Sequence, residues 1–130
     1  MRRAELIRRT RVLIAEGERL EGRPALDALR DWLSASDSLL AAAWGSMDRY
    51  HLAWLTVGRP ASAPRGRRMT PDEEWSYVRE VAAQKTAALR MSLKAVEDGM
   101  PFLGETTTDD AGEPASPGGP ADLAPDGTGP

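Results

Sequence analysis

Apolar residues recur every three or four positions through most of the first hundred residues, which is the spacing of amphipathic α-helices. The pattern predicts four helices, over residues 3–21, 24–44, 47–57 and 71–98. We expect an all-α, four-helix bundle-like domain over residues 1–104, in which a short connection makes helices 1 and 2 antiparallel neighbours. The alternative is three long helices, in which helix 3 is a bent extension of helix 2.

Residues with known preferences for helix ends support these boundaries. Pro24 is expected to be the first residue of helix 2, where its missing N–H costs little. Gly45 suits the position after the end of helix 2, and Ser46 is the predicted N-cap of helix 3. The strongest local signal is the sequence TPDE at 70–73, which combines a capping box with a proline at the first helical position.

Other features of the apolar pattern indicate how the helices pack. Gly17 interrupts the middle of helix 1 at a cost of about 1 kcal/mol relative to alanine, and a close helix crossing would explain it. Trp75 belongs to the main apolar stripe of helix 4, and a second strip of small residues predicts contacts on two sides of that helix (Val81, Ala88, Ala95). Three residues after helix 4 are expected to fold back over the end of the bundle: Met100, Phe102 and Leu103.

Composition and charge change abruptly near Gly104. Residues 105–130 contain five Pro, five Gly, one Leu and no aromatic residue, so they cannot bury enough apolar surface to offset the entropy of ordering. We therefore expect a disordered tail. The net charge of −3 is unevenly divided: residues 1–104 have 17 basic and 14 acidic residues, or +3, whereas the tail has six acidic and no basic residues, or −6.

Several classes of function find no support in the sequence. The absence of cysteine excludes disulfide frameworks, thiolate metal sites and thiol nucleophiles. No apolar run reaches the ~18 residues of a membrane span, and no apolar region of a signal peptide follows the basic N-terminus. No catalytic residue, metal or cofactor is predicted. We expect a soluble, cytoplasmic protein, and the richness in Ala, Arg and Gly is typical of a GC-rich bacterial or phage genome.

Four tryptophans are unusual in a chain with one Phe and two Tyr. At least three are expected in the core, because each buries a large area. Tryptophan also anchors many protein interfaces, and Trp44 and Trp54 are the candidates for a partly exposed patch. Arg49 and His51, at the start of helix 3, are further candidate interaction residues.

The loop before helix 4 supplies a candidate basic patch (Arg59, Arg65, Arg67, Arg68). These arginines can contact phosphate or an acidic partner. Alternatively, they pair with the acidic first turn of helix 4, or the acidic tail folds back over them. Thr107, which has an acidic residue three positions later, is a candidate phosphorylation site in the tail.

These observations leave three hypotheses about function. The leading one is a non-catalytic protein-interaction module that binds another protein or a second copy of the chain, through an exposed apolar patch with at least one Trp. The second is weak nucleic-acid association, which requires five arginines to converge on one face: Arg8, Arg11, Arg65, Arg67 and Arg68. The third is a helical nuclease or toxin centred on Arg49 and His51, although a separation of two residues places them about 160° apart on a helix.

Overall fold

The computed structural model describes residues 1–60, 64 and 66–106. These residues form four α-helices and no strand: α1 (Arg3–Gly22), α2 (Leu26–Trp44), α3 (Arg49–Thr56) and α4 (Pro71–Glu97). The all-α, four-helix prediction is confirmed, and α3 is a separate short helix rather than an extension of α2. Residues 107–130, where the sequence predicts disorder, lie outside the described residues. None of the four helices is both long and apolar enough to cross a bilayer.

The two long helices α1 and α4 pack against each other in opposite directions. At one end, the Arg3 guanidinium donates to the carbonyl of Val96 at 2.6 Å. At the other end, Arg79 donates to the carbonyl of Glu21 at 3.0 Å. The three residues of the predicted small-residue strip of α4 are buried in the bundle: Val81, Ala88 and Ala95.

The two long helices approach each other closely at Gly17. A Cβ atom at this position would clash with the hydroxyl of Thr86 on α4 and lie 2.8 Å from the ring of Trp32 on α2. The predicted close crossing is therefore confirmed. The glycine in the middle of α1 is explained by packing, because any side chain would push three helices apart.

Tryptophans fasten α2 to both long helices. The indole N–H of Trp32 donates to the carbonyl of Leu13 on α1, and that of Trp44 donates to Oγ of Ser92 on α4, both at 2.8 Å. Both rings are buried, so each polar N–H needs a partner and has one. With Trp54, three of the four tryptophans lie in the core, as expected.

The first residue of α2 differs from the sequence prediction. Ala25 is the N-cap, with an extended backbone (φ −151°, ψ 123°), and the helix begins at Leu26. Pro24 therefore precedes the helix instead of opening it. Proline favours an extended conformation just as well as a helical start, so its presence alone does not distinguish the two.

The first residue of α3 also differs from the sequence prediction. The N-cap is Asp48 and not Ser46. The Asp48 carboxylate accepts from the backbone N–H of Arg49 at 2.8 Å. A turn closed by a 3.2 Å bond from the Asp48 N–H to the Gly45 carbonyl separates α2 from α3. Met47 within this turn has a left-handed backbone (φ 65°), which delays the start of the helix.

The start of α4 agrees with the prediction in every contact. The hydroxyl of Thr70 accepts from the N–H of Glu73 at 3.2 Å, and the Glu73 carboxylate accepts from the N–H of Thr70 at 2.8 Å. Pro71 is the first residue of the helix. The helix ends at Glu97, and Gly99 follows in the left-handed region (φ 94°) that glycine adopts easily.

After α4 the chain folds back across the end of the bundle. Phe102 is buried and Met100 is half-buried, as predicted. Leu103 is 57% exposed, which corrects the expectation that it covers the core. Its backbone N–H donates to the carbonyl of Ala43 at 2.8 Å, so the backbone of Leu103 docks while its side chain faces solvent.

The returning chain meets the start of α1. The terminal amino group of Met1 donates to the carbonyl of Gly104 at 2.6 Å, and the N–H of Thr106 donates to the carbonyl of Met1 at 2.9 Å. A 2.7 Å ion pair joins Arg3 to Glu105. Residues 104–106 therefore lie beside the first residues of α1.

Candidate functional site

The histidine of α3 is buried and both of its ring nitrogens are engaged. Nδ1 accepts from the backbone N–H of Met47 at 2.8 Å, and Nε2 lies 2.6 Å from a carboxylate oxygen of Asp37 on α2. Because a backbone N–H can only donate, Nδ1 is the acceptor and the Nε2–H donates to Asp37. Neither nitrogen of His51 is open to a substrate, and the side chain links α2 to α3 through the turn.

A buried lysine fixes the other end of α3. The ammonium of Lys85 donates to the carbonyl of Trp54 at 2.5 Å and lies 4.0 Å from the centre of its ring. Burial lowers the pKa of Lys85 to about 8; the charge of Arg59 lowers it as well, and that of Asp37 acts in the opposite direction. Lys85 therefore satisfies a carbonyl in the last turn of α3, where no helical partner exists.

The expectation that Trp44 and Trp54 form a partly exposed patch is wrong. Both side chains are 4% exposed. The chain that returns after α4 runs beside Trp44, where the Leu103 N–H donates to the carbonyl of Ala43. The ring of Tyr50 packs edge-on against Trp44 with centroids 4.9 Å apart. Trp54 is covered by Lys85 and by the ring of His51, which is nearly parallel to it.

The exposed tryptophan is Trp75, which the helical pattern placed in the buried stripe of α4. It is 48% exposed. Arg79, one turn later, already contacts Glu21 near the end of α1, so Trp75 extends beyond the helix that would cover it. The guanidinium of Arg79 lies 4.6 Å from the centre of the Trp75 ring and forms a cation–π contact.

An open apolar groove of about 580 Å³ lies between the start of α3, the last turns of α4 and the chain that follows. We call it the methionine groove. Met91 is 54% exposed, whereas Tyr50 and Met100 are half-buried. Its apolar lining comes from three separate segments: Tyr50, Met91, Ala95, Met100 and Pro101.

Arg49 lies at the rim of this groove. Its guanidinium donates to the sulfur of Met100 at 3.5 Å, and it forms no ion pair with any carboxylate of residues 1–60, 64 or 66–106. Its backbone is left-handed (φ 41°). The two other charges that line the groove, Lys94 and Asp98, pair with each other at 3.1 Å. The groove thus has one uncompensated cation beside an apolar surface.

Three arginines of the candidate basic patch belong to the described residues: Arg59, Arg67 and Arg68. Arg67 makes two bonds, of 2.8 and 2.7 Å, to the Glu73 carboxylate, and these bonds with the Thr70 N–H lower the pKa of Glu73 to about 2. Arg59 contacts the carbonyl of Leu55 at 3.4 Å. Arg68 is exposed. Two predicted residues, Arg65 and Thr107, lie outside the described residues.

The arginines required for a nucleic-acid interface are far apart. Arg11 pairs with Glu97 at 2.5 Å, near the end of α4, whereas Arg67 pairs with Glu73 in the first turn of the same helix. Twenty-four residues of α-helix separate the two glutamates, a distance of about 36 Å along the axis. Arg11 and the described arginines of the loop therefore do not form one surface.

Two residues that hold α3 in place, Asp37 and Lys85, were not among the candidates that the sequence indicates. Asp37 lies fourteen positions before His51, and no local pattern connects the two. Lys85 carried a detectable signal, because it interrupts an apolar stripe between Ala82 and Leu89. In the described part of the chain, no group of three or more His, Cys, Asp or Glu is arranged to hold a metal ion.

In comparisons with known proteins, no family model, no curated protein and no solved structure matches this chain.

Proposed function

We propose that this chain is a non-catalytic helical protein-interaction module of a bacterial or phage cytoplasmic protein. We assign the methionine groove as its docking surface. The observation that carries the proposal is an exposed apolar groove next to the uncompensated guanidinium of Arg49.

The lining of the groove suits a protein segment. Methionine side chains are flexible and polarisable, so Met91 and Met100 can adapt to different apolar side chains. A volume of about 580 Å³ is within the range of ordinary ligand pockets. Tyr50 adds a rigid ring that packs on Trp44 and supports the floor of the groove.

The charge at the rim specifies the chemistry of the partner. Arg49 can form a bidentate pair with a carboxylate. The partner we propose is therefore a protein segment with apolar side chains and an adjacent Asp, Glu or C-terminal carboxylate. The tryptophan that the sequence hypothesis required is not part of this surface, because Trp75 lies about 24 Å away from Met91 along α4.

The two buried titratable side chains near α3, His51 and Lys85, have structural partners, which favours a binding role for this chain over a catalytic one. Both nitrogens of His51 are bonded within the domain, and the Lys85 ammonium lies against Trp54. These groups hold α3 in place, and α3 presents Arg49 and Tyr50 at the groove.

The test begins with a random peptide library displayed on phage and selected against the full chain. We expect the selected peptides to combine apolar residues with at least one carboxylate. For a synthetic selected peptide, Met91→Lys and Arg49→Glu should each weaken binding about tenfold or more, which corresponds to about 1.4 kcal/mol. Isothermal titration calorimetry measures the affinities.

Matched controls distinguish an effect at the groove from the general effect of changing the charge or the apolar surface of the domain. Val12→Lys changes an exposed apolar residue of α1, and Arg68→Glu changes an exposed arginine of the loop; neither should alter the affinity. The proposal fails if no selected peptide is sensitive to Met91→Lys, or if Arg49→Glu leaves binding unchanged. A dimer in sedimentation equilibrium that Met91→Lys dissociates would overturn the assigned partner in favour of a second copy of the chain.

A further inference from the structure

The outward side of α1 is a second surface with no assigned role. It carries three arginines around an apolar centre, and we call it the arginine face (Arg8, Arg11, Val12, Ala15, Arg19). Val12 is 48% exposed, and a shallow groove of about 640 Å³ lies between Val12, Ile7 and the two arginines Arg8 and Arg11. Different residues line this surface and the methionine groove.

Positive charge on this face is only partly neutralised. Arg11 is paired with Glu97. The side chains of Arg8 and Arg19 have no acidic partner within the described ranges 1–60, 64 and 66–106. Because both lie on the same side of an exposed helix, an anionic segment along α1 can contact both.

The chain itself supplies such a segment next to this face. Thr106 is hydrogen-bonded to Met1, and Glu105 is paired with Arg3, so the residue that precedes the acidic segment lies beside the first turn of α1. Residues 107–130 contain five acidic residues and no basic residue. The first two, Asp109 and Asp110, follow within four positions of Thr106.

We propose that the acidic segment from residue 107 binds the arginine face of α1, with Asp109 and Asp110 paired to Arg8. Four residues span at most about 14 Å, and Arg8 lies about 8 Å beyond Arg3 along α1. The carboxylates therefore reach Arg8 without any change in the domain. Asp122 lies twelve residues beyond Asp110, a span of up to about 40 Å. This covers the roughly 16 Å between Arg8 and Arg19 along α1, so Asp122 can reach Arg19.

The acidic segment is covalently connected to the domain, which favours its binding to the arginine face over that of a free anion. A segment tethered a few residues from its site has an effective concentration in the millimolar range, so individually weak exposed ion pairs suffice. The interaction depends on ionic strength, because the Debye length falls from about 10 Å at 0.1 M salt to about 3 Å at 1 M. The segment thus shields the basic side of the domain from other anionic molecules, including nucleic acids.

The test uses the full chain with a nitroxide spin label. The chain has no cysteine, so Ala111→Cys provides a single attachment point next to Asp110. At low salt, we expect the label to broaden the amide signals of Arg8, Val12 and Ala15 selectively in a proton–nitrogen NMR spectrum. The broadening should disappear at 1 M salt and in the variant Arg8→Glu.

Arg68→Glu is the matched control, since it makes the same charge change on an exposed arginine just before the start of α4. It should leave the broadening of α1 intact. Absent or uniform broadening at low salt would overturn the proposal, and so would broadening centred on Met91 in the methionine groove. Broadening of α1 that persists in Arg8→Glu and at 1 M salt would overturn the electrostatic basis. The affinities of selected peptides for the groove test the proposed function separately.

Discussion

The backbone of Gly17 and the hydroxyl of Thr86 occupy adjoining space, with no room for a methyl group between them. A Cβ atom on Gly17 would clash with this hydroxyl and would also lie 2.8 Å from Trp32. Three of the four helices meet at this point, since Gly17 belongs to α1, Trp32 to α2 and Thr86 to α4. The relative position of the long helices therefore depends on the absence of a side chain at residue 17.

We expect Gly17→Ala to lower the free energy of unfolding by about 1 to 3 kcal/mol, the usual range for overpacking a core. The substitution gains helix propensity, which is at most about 1 kcal/mol and opposes the packing cost. Chemical denaturation with a helical circular-dichroism signal measures the change. A variant as stable as the wild type would show that the helices can separate without cost.

Gly22→Ala is the matched control within the same helix. Apart from its chain neighbours and the backbone of its own helix, no atom of the described residues lies within 4 Å of a Cβ at Gly22, so we expect unchanged or slightly higher stability. The double variant Gly17→Ala/Thr86→Ala should recover part of the loss, because it removes one of the two obstacles. If the two single effects simply add, the clash with Thr86 is not the cause.

The hydrogen bond between His51 and Asp37 predicts that the domain loses stability when the partly exposed Asp37 carboxylate is removed. In Asp37→Ala the buried Nε2–H of His51 loses its acceptor, and an unsatisfied buried donor costs about 1 to 3 kcal/mol. Asp31→Ala, an exposed residue of the same helix, should change stability by no more than about 0.5 kcal/mol. Equal effects of the two substitutions in denaturation experiments would contradict a role for the contact.

The sequence predicts the features of this fold that depend on local interactions. The four helices follow from the spacing of apolar residues, and the capping box of Thr70 and Glu73 involves groups only three residues apart. Gly17 was informative because a glycine within a helix has a cost that packing must offset. Such signals lie within one segment of chain.

Features that depend on where two segments meet were not predictable in the same way. Periodicity identifies the inner side of α4 but not the point at which α1 ends, so it placed the exposed Trp75 in the core. The bond between Asp37 and His51 requires the turn around Met47, whose left-handed backbone has no sequence signal. The sequence indicates Arg49 as a candidate, but the groove beside it combines three segments that only the tertiary structure brings together.

The buried ammonium of Lys85 predicts a dependence of stability on alkaline pH. Its pKa is about 8 in the folded domain, against the ordinary lysine value of 10.5 in an unfolded chain. Between these values the unfolded chain binds more protons than the folded one, so the free energy of unfolding rises with pH in this window. We expect the wild type to gain stability relative to Lys85→Met from about pH 8 to about pH 10.5.

Denaturation curves at closely spaced pH values measure this difference. Lys94→Met is the matched control, because the ammonium of Lys94 is exposed and paired with Asp98 at the surface. The difference between the wild type and Lys94→Met should stay nearly constant over the same interval. A constant difference for Lys85→Met as well would show that the folded and unfolded chains bind the Lys85 proton equally.

The ion pair of Arg67 and Glu73 predicts a complementary effect in acid. Hydrogen bonds from Arg67 and the Thr70 N–H lower the pKa of Glu73 from 4.5 to about 2, so the unfolded chain takes up this proton first as the pH falls. The stabilisation by the Glu73 charge is therefore complete above about pH 4.5 and is lost towards pH 2. We expect wild type and Glu73→Gln to differ in stability at pH 7 and to converge over this interval. Glutamine keeps an oxygen for the capping box, so the comparison isolates the charge.

Glu74→Gln provides the control, since the Glu74 carboxylate accepts no hydrogen bond within the described chain. The difference in stability between Glu74→Gln and the wild type should not change between pH 4.5 and about pH 2. A Glu73→Gln difference that stays constant down to about pH 2 would show that the charge of Glu73 does not stabilise the start of α4.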